Sequence, residues 1–250
     1  MPSTHALGER GYIHQRCLHM PRIESIHLSA LPDERVDAAQ VPLRDGVALT
    51  WPRAQQITPR DDPRIFGTVF GDGNIVHPEL AVLLIEQAAR QPQGLLGFGG
   101  KKVRDPAIWE QPAAQLLTRR ALLFYCKCHN QMSAHTTDQW ANVMDPGDYS
   151  YPHCHYDSHA SLVYYLDPGE ADPKEKLAGR FHFSDPRIPY CCSTHPERPT
   201  RGLLPDIRTG TLLMFPSEFV HFVHPYRGTR PRITLAWNIS PGPAPAVDPM

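Results

Sequence analysis

The chain has 250 residues, 25 Lys and Arg against 26 Asp and Glu, a formal net charge of -1 and 27 prolines. That length suits one substantial core, and the balanced charge gives no electrostatic footprint for nucleic acid or an anionic membrane surface, so neither is expected as a partner. No stretch approaches the ~18 consecutive apolar residues of a membrane span and the first 30 residues hold no signal-type apolar run, so a cytoplasmic enzyme or binding protein acting on something small or neutral is expected. Cys17, Cys126, Cys128, Cys154, Cys191 and Cys192 form no CxxC pair, which argues against a zinc knuckle and a secreted disulfide framework. The prolines are spread along the chain, a pattern of many turns and few long helices that favours β structure.

In chain order, residues 1–46 read as an irregular arm with a short strand at "IESIHLSAL". "HPELAVLLIEQAARQ" predicts a helix with Pro78 in its first turn and Leu80, Val82, Leu83, Leu84 and Ala88 as its apolar positions. "GLLGFGG" with Lys101, Lys102 and Arg104 reads as a solvated surface loop, a basic lip at most, since it lacks the strand-to-helix setting of a dinucleotide site. "PAAQLLTRRALLFYCKC" predicts a second helix, and the two helices together form a packing layer. After about residue 138 the texture changes to six short apolar-aromatic segments, "WANVM", "SLVYYL", "RFHFS", "TLLMF", "FVHFV" and "RITLAWNI", separated by turn residues, as in a sandwich or barrel. A single domain over 1–250 follows: arm and supporting helices over 1–137, a core over 138–240 and a Pro-rich disordered tail over 241–250.

The chemistry-bearing residues fall in two places. In "PHCHYDSHASLVYYL" alternate side chains of an extended segment share a face, so His153, His155, Asp157 and His159 form a row of metal-ligand type. The second is "FVHFVHPYRGTRPRITLAWN", which reads as a hairpin around "YRGT" with Gly228 supplying permissive backbone. If Tyr226 pairs with Thr229, His221 lies opposite Thr234 and Val223 opposite Arg232. His221, Arg232 and Thr234 then share one face, Ile233, Leu235 and Trp237 take the other, and His224 is structural. Two histidines and one carboxylate leave open positions on an octahedral iron, the facial arrangement of non-haem Fe(II) oxygenases, and an arginine beside them can hold the far carboxylate of a chelating oxo-acid in a fork.

"WANVMDPGDYSYPHCHYDSHASLVYYL", "GRFHFSDPR" and "GTLLMFPSEFVHFVHPYRGTRPRITLAWN", in that order over roughly residues 138–240, resemble the 2-oxoglutarate/Fe(II)-dependent oxygenase family. The resemblance implies a mainly β, double-stranded β-helix (jelly-roll, cupin-like) barrel carrying N-terminal supporting helices. It implies His155, Asp157 and His221 as ligands of Fe(II), and a 2-oxoglutarate cosubstrate held by Arg232 and Thr234, with Asn142 and Tyr165 as further contacts. It also implies O2 as co-reactant and hydroxylation of a small molecule, amino acid or peptide, with 2-oxoglutarate decarboxylated to succinate and CO2. Relatives carry Asn after "HxHP" in the place of Asp157, so the choice among His153, His155 and Asp157 stays open, with His153 or His159 as an alternative ligand or a support for one. Tyr151 and Arg187 are candidates for substrate contact. The rivals are a cupin-like enzyme holding its metal on His153, His155 and His221 without an oxo-acid, and a non-catalytic jelly-roll binding protein.

Overall fold

From residue 133 onward the chain lays strands alternately into two sheets. β7 (Ser133–Met144), β9 (Ala160–Asp167), β11 (Thr211–Pro216) and β13 (Arg232–Pro241) enter a large antiparallel sheet, while β8 (Ser150–His153), β10 (Phe181–Phe183) and β12 (His221–Val223) form a small one in the order β10-β12-β8. This alternation is the double-stranded β-helix. The computed structural model describes residues 25–27 in their backbone, and 40–59, 64–92, 97–184 and 203–242 in full. The expectations placed on Cys17, Arg187, Cys191, Cys192 and the tail from residue 243 lie outside these residues.

Residues before 133 extend the large sheet and cover one face of it. β1 (Ser25–His27) pairs with β7, so the expected arm strand is present. β4 (Thr58–Pro59) and β5 (Phe66–Val69) add beside β11, and β6 (Lys101–Val103) pairs with β7. β2 (Gln40–Leu43) and β3 (Gly46–Leu49) make a separate hairpin. Both expected helices form, α1 (Gly73–Ala89) and α3 (Pro112–His129), with a short α2 (Pro106–Trp109) between them. α1 begins five residues before Pro78, which therefore stands inside the helix and not in its first turn. The missing N–H at Pro78 costs one backbone bond, and the buried Val76, His77, Leu80 and Leu84 around it supply the packing that holds the helix. Asn130, left-handed at φ 50° and ψ 43°, ends α3.

Period-two alternation sorts each central strand. On β9, Leu162, Tyr164 and Leu166 face the helices and join Leu212 and Met214 of β11, and Ile233, Leu235, Trp237 and Ile239 of β13, in one core. Ser161 and Val163 face the barrel interior. Both faces are covered, so these strands read as nearly continuous apolar runs. Trp237 is fully buried and its indole N–H donates to Thr118 Oγ1 on α3 at 3.1 Å, pinning the sheet to the helix layer. Arg120 of α3 is also fully buried; it pairs with Asp72 and donates to the carbonyls of Leu49 at 2.6 Å and Thr50 at 3.1 Å, tying the β2–β3 hairpin to the helices.

The expected hairpin between "FVHFV" and "RITLAWNI" does not form. β12 pairs with β10 and β8, setting His221 opposite Phe183 and His153, whereas β13 pairs with β7 and β9. The connection crosses from the small sheet to the large one, so a two-strand register counted across the turn has no physical counterpart. Tyr226 does not pair with Thr229: its hydroxyl donates to the Arg230 carbonyl at 2.6 Å, and Thr229 N–H donates to Glu170. Gly228 supplies room here, since a Cβ on it would lie 2.0 Å from the Tyr226 hydroxyl.

Candidate metal centre

The strand β8 ends at His153, and the chain then bends at residues 156–157. His153 thus leaves the small sheet directly opposite His221, the first residue of β12. His155 is turned inward by its backbone N–H, which donates to the Ser217 carbonyl at 2.8 Å, and its ring lies 5.5 Å from that of Trp140 on β7. The ligand-type nitrogens of His153, His155 and His221 all fall within 4.8 Å of one another.

Second contacts fix two of these rings in a metal-ready tautomer. His153 Nδ1 is 2.7 Å from the Tyr151 carbonyl and His221 Nδ1 is 2.8 Å from the Phe219 carbonyl. A carbonyl only accepts, so each Nδ1 carries the proton and each Nε2 keeps its lone pair. Burial holds the imidazoles neutral, pushing His221 down to about 3 and His155 down to about 4, and lowering His153 as well. Neutral imidazole is the ligating form. Phe181 stacks on His221 at 5.3 Å and Phe215 meets it edge-on at 4.8 Å, so the ring is clamped in an apolar wall. The donor set, its tautomers and its protonation all suit a divalent transition metal.

These histidines line a cavity between the two sheets. Its floor is the inner face of the large sheet, where one transverse row carries four polar side chains: Lys102 of β6 opposite Asn142 of β7, Asn142 opposite Thr234 of β13, and Thr234 opposite Tyr165 of β9. Asn142 Nδ2 donates to Thr234 Oγ1 at 3.4 Å. Arg232 stands two residues along β13 from Thr234, ~7 Å away at strand rise. It is 3% exposed, and its guanidinium sits 5.3 Å from the Tyr165 ring centroid and donates to Met144 Sδ at 3.2 Å. Among the described residues no carboxylate pairs with it. The Tyr165 hydroxyl is fully buried beside the guanidinium, and burial pushes its pKa up to about 12, so it stays protonated and remains a donor. A buried cation that lines the cavity without a carboxylate partner among the described residues calls for an anionic oxygen ligand.

The other expected residues fall as follows. Asp157 is exposed and stands outside the histidine cluster, because the bend at 156–157 breaks the alternation that put it on the face of His153 and His155. His159 also leaves that face: its Nδ1 pairs with the Tyr125 hydroxyl at 2.8 Å and its ring packs 4.9 Å from His129, on the helix side of the sheet. Tyr151 lies at the mouth, 54% exposed, with its hydroxyl 3.1 Å from that of Tyr149. His224 is 3.0 Å from His182, away from the cluster. Lys101, Lys102 and Arg104 do not form a solvated loop. Lys101 and Lys102 belong to strand β6, and Lys102 reaches the cavity, a role the sequence reading missed. The signal was present in the alternation of Lys102 with Val103, since Val103 is fully buried in the helix-side core and its neighbour must therefore face inward.

Residues 138–238 match the model of the family described as "Putative 2OG-Fe(II) oxygenase". That segment, which holds the barrel strands and the histidine cluster, is thus similar to this family. Two solved structures, each with a TM-score of 0.50, share the fold. AviO1 from Streptomyces viridochromogenes Tue57 is 14% identical over 76% of this chain and 94% of its own, with a TM-score of 0.50. The epimerase SnoN, in complex with Fe3+, alpha ketoglutarate and nogalamycin RO, is 14% identical over 75% of this chain and 88% of its own, also with a TM-score of 0.50. A Pseudomonas putida prolyl-4-hydroxylase is 17% identical over 72% of this chain and 94% of its own, with a TM-score of 0.48. No curated protein matches the chain by sequence. Among the described residues no helix is long and apolar enough to cross a membrane.

Proposed function

We propose that this protein is an Fe(II)- and 2-oxoglutarate-dependent oxygenase in which His153, His155 and His221 hold the iron and Arg232 anchors the cosubstrate. The observation that carries this reading is Arg232, buried in the cavity of the histidine cluster with no carboxylate partner among the described residues. A three-histidine donor set would equally suit the rival metalloenzyme without an oxo-acid; a buried, unpaired guanidinium has no role there. The family-model match over residues 138–238 and the likeness in fold to the SnoN complex with iron and alpha ketoglutarate support the same choice.

In this reading the guanidinium forks the far carboxylate of 2-oxoglutarate, and the Tyr165 and Thr234 hydroxyls donate to it. Asn142, held by Thr234, orients the keto-acid end toward the histidines. When bound, the metal supplies the O2 chemistry that oxidises the substrate while 2-oxoglutarate loses CO2 to become succinate. Phe181, Phe215 and Val223 wall the histidines off from bulk water, which protects a reactive centre from side reactions. The substrate is a small molecule, an amino acid or a peptide. The test is anaerobic addition of Fe(II) and then 2-oxoglutarate to purified protein, watching for the weak visible absorption of a chelated Fe(II)–oxo-acid complex. Iron uptake without that absorption would move the assignment to the three-histidine rival.

A further inference from the structure

The mouth of the cavity is built by a segment that the cosubstrate does not use. Residues 97–100 fold over β8: Gly99 N–H donates to the Tyr149 carbonyl at 2.8 Å, Tyr151 N–H donates to the Gly97 carbonyl at 2.7 Å, and Phe98 bridges Ser150. Gly97 is required, with φ +88° and a Cβ that would fall 2.1 Å from the Tyr151 ring. This fold leaves Phe98 and Tyr151 57% and 54% exposed, edge to face at 6.5 Å, as an aromatic lip. It also delivers β6 to the edge of the large sheet and Lys102 into the cavity.

Charge is arranged unevenly around that lysine. Lys101 pairs with Asp145 at 3.5 Å, and Arg104 takes both carboxylate oxygens of Asp138. Lys102 between them has no acid partner among the described residues; its Nζ lies 5.3 Å from the Trp140 ring centroid, and Trp140 in turn flanks His155. A half-buried ammonium held over an aromatic face, with the nearby acids already engaged, is set to receive an anion from outside. It stands across β7 from the cosubstrate end, two strand spacings or ~10 Å from β13 in the sheet.

We propose that this mouth is the substrate subsite and that it takes an organic acid with an apolar body, its carboxylate at Lys102 and its body against Phe98, Tyr151 and Trp140. The proposal rests on the oxygenase reading in placing the oxidised position beside the histidines. Trp140 lies between Lys102 and His155, so a body seated on it brings a carbon near the metal while the carboxylate stays on the ammonium.

The test compares acids with their uncharged amides on the protein loaded anaerobically with Fe(II) and 2-oxoglutarate: phenylpropionate, hexanoate and indole acetate, each against its amide. Binding is read from the change in the visible absorption, and in parallel from the thermal shift of the metal-free protein. At least one acid is expected to bind about tenfold more tightly than its amide, as a charge-assisted contact requires. Lys102→Met should erase that preference while leaving 2-oxoglutarate affinity unchanged, and Phe98→Ala should weaken acid and amide alike. No acid preferred over its amide in the wild type, or a preference that survives Lys102→Met, overturns the proposal. So does a Lys102→Met protein that loses 2-oxoglutarate binding, since the lysine would then serve the cosubstrate. Failure of the visible absorption to appear sinks the oxygenase reading alone; the thermal-shift arm still decides the role of Lys102.

Discussion

Replacing Arg232 separates a ligand anchor from a structural arginine. The guanidinium is 3% exposed, burial pulls its pKa below the ordinary arginine value, and its contacts are a thioether and an aromatic ring. The ligand-free fold therefore bears the cost of a buried charge with little in return. Arg232→Met, similar in shape and uncharged, should leave the melting temperature of the apo protein unchanged or higher. The same change removes a two-pronged charged contact to 2-oxoglutarate, worth about 3 kcal/mol, which corresponds to roughly a hundredfold weaker binding. Arg232→Lys keeps the charge but loses the fork and should fall between the two. The assay is anaerobic titration of the Fe(II) protein with 2-oxoglutarate, with iron content and apo thermal unfolding measured on the same samples. A Met variant that melts well below wild type while binding 2-oxoglutarate normally would refute the reasoning.

Three further outcomes follow from the geometry. His153→Ala should lower iron affinity by more than the ~10–100-fold typical of losing an outer contact to a ligand, while Asp157→Ala should retain wild-type iron content after anaerobic dialysis; the reverse result would restore Asp157 as the carboxylate ligand. His77 is buried, 2.7 Å from the Tyr164 hydroxyl, and its pKa falls from 6.5 to about 4 because burial disfavours the imidazolium. The unfolded chain then takes up the proton first, so stability is full above pH 6.5, declines as the pH drops toward 4 and levels off below that. At about 1.4 kcal/mol per pH unit the loss is on the order of 3 kcal/mol, and urea unfolding of His77→Gln at pH 7 and pH 4.5 should show a correspondingly smaller difference than wild type. Arg120→Leu strands Asp72 and two backbone carbonyls and should cost about 3–5 kcal/mol, measured by urea unfolding at pH 7; a loss under about 1 kcal/mol would show that water replaces the arginine.

Much of the barrel was legible in the chain. Six apolar-aromatic segments became strands, five within two residues of their expected bounds and the first beginning seven residues earlier at Ser133, because strand alternation and turn residues are local. The split of Ile233, Leu235 and Trp237 from Arg232 and Thr234 followed from period two alone. The pairing of those strands did not. A jelly roll sends consecutive strands to opposite sheets, and nothing within a strand states which sheet it joins, so the "YRGT" turn was read as a hairpin when it is a crossing. Asp157 failed for a related reason, since alternation holds only while the backbone stays extended and the bend at 156–157 ends it.

What the sequence by itself determined is the inventory: histidines before an apolar strand, a distant histidine, an arginine and threonine two residues apart, and the residue types that suit iron and an oxo-acid. Only the tertiary structure decided their company. It set His153 against His221 across the small sheet, buried Arg232 beside Tyr165 with no carboxylate partner among the described residues, and turned Lys102 inward from a strand edge. Side-chain direction along a strand is set by local backbone geometry. Which side chains meet depends on sheets assembled from residues more than a hundred positions apart, as Lys102 and Thr234 are across the Asn142 they share.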